Sequence, residues 1–298
     1  MMQNYLDTHR AYPDCILFYR LGDFYEMFFD DAITVSRELE LTLTGKSCGL
    51  EERAPMCGVP FHAAEPYIAK LVSHGHKVAV CEQVEDPKLA KGLVKREVIR
   101  VVTPGTNMNM QTLDASKNNY LFCVYYSDNG IGLCISDIST GVFMVTEVGS
   151  VQELRNEIGK FGATELVCNE AFLISGEEIS EYKERYGVAV FGLEAHLFDE
   201  RSCEREITSH FATHSLQSLG LIDLNYGKLA AGATLTYLRQ TQMTGLDNIT
   251  GVKIYRSDDY MMLDSASRRN LELTETLREK NKRGSLLWVL DKTKTAMG

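Results

Sequence analysis

The chain has 298 residues, of which 44% are hydrophobic and 24% are charged, values typical of a globular protein with about two domains. Its 41 acidic and 31 basic residues give a net charge of −10, which argues against a protein that holds nucleic acid through its overall field. No stretch approaches the roughly 18 apolar residues of a membrane helix, and residues 1–10 lack the apolar segment of a signal peptide. We therefore expect a cytoplasmic protein with no membrane partner, in which any DNA binding comes from a local patch or from parts of the protein outside this sequence.

The prolines and polar residues divide the sequence. All six prolines fall within the first 104 residues, and a polar stretch without periodicity follows them. We predict a first domain over 1–106, a linker over 107–119, a second domain over 120–247, and the start of a further, truncated region over 248–298.

The second domain reads as mixed α/β. Apolar runs over 120–126, 130–136 and 141–146 are separated by turn sequences, which predicts a β-meander. A helix over 151–161, a strand over 165–168 and a helix over 226–238 follow. In the last region we expect a strand pair over 253–264, a helix over 266–277 and another helix beginning at Leu286.

Metal and phosphate sites find little support. The eight cysteines have no metal-ligand spacing, so we expect reduced and mostly buried thiols. His74 and His76 flank a glycine without a carboxylate or cysteine at ligand spacing, so we expect no metal there. Gly45-Lys46-Ser47 ends like a phosphate-binding loop, but Glu40 stands where that loop requires a glycine.

The first domain begins with two extended runs, over 16–19 and 24–29, joined by Gly22-Asp23. We expect Asp30 or Asp31 to cap the helix that follows. Because side chains alternate along a strand, Phe24 and Glu26 share one face about 6.6 Å apart. From the pattern alone, this is either an edge strand with one exposed Phe and one solvated Glu, or a surface that offers an aromatic ring beside a hydrogen-bond acceptor.

The segment Ile16–Phe28 (ILFYRLGDFYEMF) resembles the signature of the bacterial MutS mismatch-recognition proteins, and Phe24-Tyr25-Glu26 matches their Phe-x-Glu element. Further similar stretches occur in the family's order. They are 54–62 (APMCGVPFH), 80–84 (VCEQV), 101–106 (VVTPGT), 137–141 (DISTG) and 264–273 (DSASRRNLEL). The resemblance implies a mixed α/β recognition domain, a ribonuclease-H-like connector domain and the first elements of a helical core domain.

The resemblance also implies a function. Phe24 would insert from the minor groove and stack on a mispaired base, and Glu26 would hydrogen-bond that base. The expected partners are double-stranded DNA with mismatches or small loops, and a MutL-type protein through the connector. The full-length protein is expected to be a homodimer, with weak or no association of this piece alone. ATP and Mg²⁺ are expected only in a C-terminal ATPase domain, so we expect no cofactor and no catalysis here.

The basic segment before residue 101 offers candidate phosphate contacts. Its charges are Lys88, Lys91, Lys95, Arg96 and Arg100. We favour Lys95 and Arg96 as contacts to the DNA backbone, while a solvated charged face remains the alternative.

Two other functions stay open. A metal-dependent nuclease could use Asp137 with Glu165, Glu170 or Asp223, although these form no recognisable constellation and Asp137 fits a turn-capping role. Alternatively, the Phe24 face could dock a protein. Neither alternative needs DNA mismatches.

Overall fold

The computed structural model describes residues 1–47, 53–85, 94–107, 118–243, 245–256, 261, 263–279 and 281–293. The chain forms two compact units, one from residues 1–112 with 238–245 and the other from 113–237 with 246–298. Each unit is mixed α/β, as predicted.

The first unit is built on a mixed sheet. Its elements within the described residues are α1 Met2–Ala11, β1 Cys15–Leu21, β2 Phe24–Phe28, α2 Phe29–Leu39, β3 Thr44–Lys46, β4 Ala54–Pro60, α3 Ala64–Ser73, β5 Lys77–Gln83 and β6 Arg96–Val102. The strand order is β3-β4-β2-β1-β5-β6. Strand β1 pairs in parallel with β5, and the other described pairs are antiparallel.

Strand β1 lies inside this sheet and is covered on both faces, which explains its unbroken apolar run. On one face Phe18 and Met27 pack with residues of α2 and α3. On the other face Leu17 and Phe28 pack with Tyr5 of α1. The first core is therefore a three-layer arrangement with the sheet in the middle.

The predicted cap of α2 was wrong. The helix begins at Phe29, and Phe28 at the N-cap position contributes no side-chain hydrogen bond. Asp31 points inward, and its Oδ2 accepts hydrogen bonds from Leu17 N at 2.9 Å and from Tyr5 Oη at 3.2 Å. Burial raises the pKa of Asp31. The carboxylate thus ties three elements together instead of closing a helix end.

The second unit has the predicted meander. The described elements after residue 118 are β7 Leu121–Ser127, β8 Gly130–Asp137, β9 Val142–Val148, α4 Val151–Phe161, β10 Glu165–Cys168, α5 Glu170–Leu173, α6 Ile179–Tyr186, β11 Ala189–Gly192, α7 Glu200–His210, α8 Gly227–Gln242, β12 Lys253–Ile254, α9 Ser265–Asn270 and α10 Leu286–Leu290. The strand order is β11-β10-β7-β8-β9-β12. Strands β7 to β9 are antiparallel, and β10 runs parallel to β7, so this sheet is also mixed.

Helix α8 approaches the second sheet at a glycine. A Cβ placed on Gly132 would lie 2.1 Å from the carbonyl oxygen of Tyr226. Glu147 Oε1 accepts hydrogen bonds from Tyr226 N at 2.6 Å and Gly227 N at 2.9 Å, which satisfies free amide groups at the start of the helix. The small residues of α8 are buried, as predicted.

The last region differs from prediction. Helix α9 ends at Asn270, whereas the sequence predicted a helix over 266–277. Strand β12 covers Lys253–Ile254, and the rest of the predicted strand pair includes residues outside the described ones. Helix α10 begins at Leu286, as predicted.

The seven cysteines within the described ranges are buried and unbridged. Burial raises the pKa of Cys134 and of Cys168 to about 12, which keeps both thiols protonated at neutral pH. Cys48 lies outside the described residues. Among the helices that the structure describes, none is long and apolar enough to cross a lipid bilayer.

Candidate nucleic-acid interface

Strand β2 is buried at one end and exposed at the other. Phe28 is covered by α1, with its ring centroid 4.9 Å from that of Tyr5. Phe24 is 46% exposed, although Tyr25 between Phe24 and Glu26 is buried on the opposite face. The predicted alternation of faces is therefore confirmed, and helix α1 covers only part of the face that carries Phe24.

Glu26 is held by a lysine from another strand. Its Oε2 accepts a hydrogen bond from Lys46 Nζ at 2.5 Å, and 16% of the Glu26 side chain is exposed. Strand β4 lies between β2 and β3, and it places Gly58 opposite Glu26. A Cβ on Gly58 would lie 3.5 Å from Glu26 Cγ, an ordinary van der Waals contact, so the glycine leaves the space beside the Glu26 side chain unfilled. This ion pair could not be predicted from sequence patterns, because its partners are 20 residues apart.

The hairpin that presents Phe24 is braced from the opposite face. The guanidinium carbon of Arg20 lies 3.5 Å from the ring centroid of Phe61. Arg20 also forms an ion pair with Glu82 at 3.2 Å, and the hydroxyl of Tyr25 donates to the same carboxylate. Burial raises the pKa of the Tyr25 hydroxyl, which keeps it a donor. This network restricts the β1–β2 turn next to Phe24.

The two favoured basic residues have different environments. Arg96 donates from Nε to the carbonyl oxygen of Arg20 at 2.7 Å, and its guanidinium lies over the ring of Tyr19. Lys95 extends into solvent, with 68% of its side chain exposed, and pairs with Glu97 at 2.6 Å. The hydrogen bond and charge of Glu97 raise the pKa of Lys95.

The other predicted basic contacts fall elsewhere. Arg100 forms an ion pair with Glu65 of α3, on the opposite face of the sheet. Lys88 and Lys91 lie outside the described residues. Among the three described residues of the basic segment, Arg96 is the one on the face that carries Phe24, and Lys95 lies beside it.

The two histidines share a carboxylate that the sequence analysis did not find. His74 Nδ1 lies 3.0 Å from one oxygen of Glu38, and His76 Nε2 lies 2.8 Å from the other. Burial raises the pKa of Glu38, but the hydrogen bonds and charges of the two imidazoles outweigh this and place it below its ordinary value. No group of three or more metal-binding side chains occurs among the described residues.

Asp137 serves the fold of the second unit. Its Oδ1 accepts hydrogen bonds from Ser139 N at 2.8 Å and Ser139 Oγ at 2.6 Å, and its Oδ2 accepts from Asn119 N at 3.2 Å. The side chain is fully buried. The turn-capping role fits this geometry, and nothing in the described residues supports the nuclease alternative.

Two family models match the chain, MutS domain I over residues 1–111 and MutS domain II over residues 119–250. The chain belongs to the MutS family. The family resemblance seen in the sequence is thereby confirmed. Phe24 and Glu26 lie in the MutS domain I range, and Asp137 lies in the MutS domain II range.

Three similar proteins carry the description DNA mismatch repair protein MutS. That of Lachnoclostridium phytofermentans is 58% identical over 298 residues, that of Acetivibrio thermocellus 52% over 301 and that of Ruminiclostridium cellulolyticum 53% over 301. Each alignment covers 100% of this chain but only 32% to 34% of the relative. The chain thus spans about a third of the length of these MutS proteins.

Proposed function

We propose that this chain recognises mispaired or unpaired bases in double-stranded DNA and so initiates mismatch repair. The observation that carries the proposal is the exposed end of β2, where Phe24 is 46% exposed beside Glu26 on a strand whose other end is core. An exposed phenylalanine on a braced hairpin is poorly explained by packing. Membership of the MutS family supports assigning it to DNA.

In this proposal Phe24 enters the minor groove and stacks on the mispaired base. Inserting an apolar wedge costs unstacking energy and kinks the duplex. A mismatch has already lost part of its pairing and stacking, so the same kink costs less there than in paired DNA. Aromatic stacking on a base contributes about 1 to 3 kcal/mol and does not depend on base identity, as a general mismatch sensor requires.

Glu26 supplies the selective element. A carboxylate is repelled by DNA phosphates and binds only where a base edge offers a hydrogen-bond donor. In fully paired DNA the Glu26 carboxylate finds no such donor, so its contact with the duplex is unfavourable. This lowers the affinity for paired DNA relative to mismatched DNA. Only one of its oxygens is engaged by Lys46 within the described residues, so the other can accept from a base.

Lys95 and Arg96 are proposed to contact the DNA backbone. Lys95 has the exposure that a phosphate contact requires. Arg96 donates from Nε and Nη1 to backbone carbonyls of the protein, which fixes its guanidinium on this face of the sheet. Such contacts would orient the duplex without reading its sequence.

The remaining parts of the proposal concern the longer protein. We infer that it is cytoplasmic, works as a homodimer and meets a MutL-type partner through the second unit. We also infer that ATP and Mg²⁺ act in a C-terminal domain outside this sequence. This segment itself would bind and recognise, without a catalytic step of its own.

The test is equilibrium binding of the longest native chain that contains these residues to mismatched and fully paired duplexes at one salt concentration. We expect Phe24→Ala to remove the mismatch preference while weak binding to paired DNA persists. The affinity for the mismatched duplex should fall by about 5-fold to 150-fold. Ile33→Ala is the matched control, because Ile33 is 45% exposed but lies on α2, which packs on the opposite face of the sheet. A mismatch preference that survives Phe24→Ala would refute the proposal.

A further inference from the structure

The Lys46–Glu26 pair divides the carboxylate into two oxygens with different environments. Oε2 is bound by the lysine at 2.5 Å, whereas Oε1 makes no hydrogen bond in the part of the chain that the structure describes. The pair is partly sheltered, with side-chain exposures of 33% for Lys46 and 16% for Glu26. The lysine therefore fixes the carboxylate without filling its hydrogen-bonding capacity.

The position of Lys46 is itself determined by the sheet. Thr44–Lys46 pairs with the end of β4, and Lys46 lies opposite Ala54. Its Nζ also lies 5.6 Å from the ring centroid of Phe28, the buried aromatic of the same strand face. The ammonium group of Lys46 is therefore restricted in position. Strand pairing holds its backbone, and Glu26 and the Phe28 ring contact its Nζ.

A carboxylate at a DNA interface needs such a partner. Two like charges separated by a few ångströms repel strongly wherever water is excluded, and closing the interface on DNA excludes water. A single ammonium group bound to Oε2 offsets the charge of Glu26 toward the phosphates. It leaves the in-plane lone pairs of Oε1 available to a donor on a base.

We propose that Lys46 is a positioning residue for mismatch recognition, which neutralises Glu26 through Oε2 and presents Oε1 to the mispaired base. The inference rests on the proposed function of Phe24 and Glu26. It specifies how the site limits electrostatic repulsion between Glu26 and the DNA phosphates. Lys46 acts through Glu26 in this arrangement, not as an independent phosphate contact.

A double-mutant cycle separates these two roles. Lys46→Met, Glu26→Gln and the double variant are measured in the longest native chain, by equilibrium binding to mismatched and paired duplexes over a range of salt concentrations. In the presence of Glu26, we expect Lys46→Met to weaken mismatch binding by about fivefold or more, the coupling typical of residues in direct contact. In the Glu26→Gln background, we expect a change of less than about twofold, because no carboxylate charge remains to be offset.

Two controls sharpen the cycle. Lys46→Arg retains the charge and should restore most of the binding. Lys95→Met removes an exposed charge that is paired with Glu97, so its effect should be the same in both Glu26 backgrounds. Melting temperatures of all variants show whether any loss of binding reflects unfolding.

The outcomes are distinct. An equal loss on Lys46→Met in both backgrounds, with the salt slope reduced by about 0.9, would overturn the inference and make Lys46 an ordinary phosphate contact. No loss in either background would also overturn it. Failure of the proposed function has a different signature, since Phe24→Ala would then leave the mismatch preference intact.

Discussion

Asp137 offers a direct measurement of what its carboxylate does in the second unit. Asp137→Ala removes the acceptor of three hydrogen bonds, two from Ser139 and one from Asn119. The backbone N–H of Asn119 is buried, so losing this hydrogen bond costs more than losing one that water can replace. The backbone N–H of Ser139 lies in an exposed turn and can form a hydrogen bond with water instead.

The two amides therefore carry different costs. An unpaired buried donor costs about 1 to 3 kcal/mol, whereas a hydrogen bond that is replaced by water costs about 0.5 to 1.5 kcal/mol. We expect Asp137→Ala to lower the free energy of unfolding by about 3 kcal/mol, which corresponds to a fall on the order of 10 °C in melting temperature. Asp137→Asn keeps one acceptor oxygen and should cost about half as much.

The assay is calorimetry combined with hydrogen exchange of the intact chain. Protection should fall in peptides from β7 to β9, while peptides from β1 and β2 in the first unit remain unchanged as an internal control. A metal-site role predicts the opposite sign, because removing one of several clustered carboxylates relieves repulsion and stabilises the metal-free protein. A variant as stable as the parent, or magnesium-dependent DNA cleavage that Asp137→Asn abolishes, would refute the structural role.

Two other substitutions test packing and ionisation. Gly132→Ala should cost about 1 to 3 kcal/mol or more, because its Cβ would lie 2.1 Å from the Tyr226 carbonyl oxygen, whereas Gly251→Ala has open space and should leave the melting temperature unchanged or slightly raised. Equal effects of the two would contradict the close approach of α8. Glu38 has a lowered pKa, so the unfolded chain binds more protons and the stability that Glu38 contributes is present above its unfolded pKa and lost as pH falls through the folded one. Thermal melts should therefore show that Glu38→Gln lowers stability at pH 7 and that the difference shrinks below about pH 4; a difference independent of pH would exclude this ionic role.

Sequence patterns predicted the helices and strands whose limits are determined by residues close together in the chain. The helix over 151–161 and the strand over 165–168 have the predicted limits, since an apolar periodicity and flanking turns define both. The prediction of a helix over 266–277 was wrong. Helix α9 ends at Asn270, although the small and apolar residues that suggested a longer helix continue beyond it. Asp31 failed as a cap for another reason, as its partners Leu17 and Tyr5 are 14 and 26 residues away.

The candidate site shows the same division. Alternation along one strand placed Phe24 and Glu26 on a common face, and the structure agrees. The sequence could not reveal Lys46 or Glu38 as partners, because each contact depends on strands or helices brought together by the fold. The charge of Arg96 predicts a phosphate contact, whereas its contacts with the Arg20 carbonyl and the Tyr19 ring depend on strand pairing in the folded sheet.

The division of β2 into a buried half and an exposed half has an evolutionary consequence. Met27 and Phe28 are buried and anchor the strand, so substitutions there lower the free energy of unfolding. Phe24 is 46% exposed, so under the proposed function its substitution would change DNA binding while the fold keeps most of its stability. If β2 recognises DNA as proposed, selection can adjust its exposed end without first finding compensating mutations in the core.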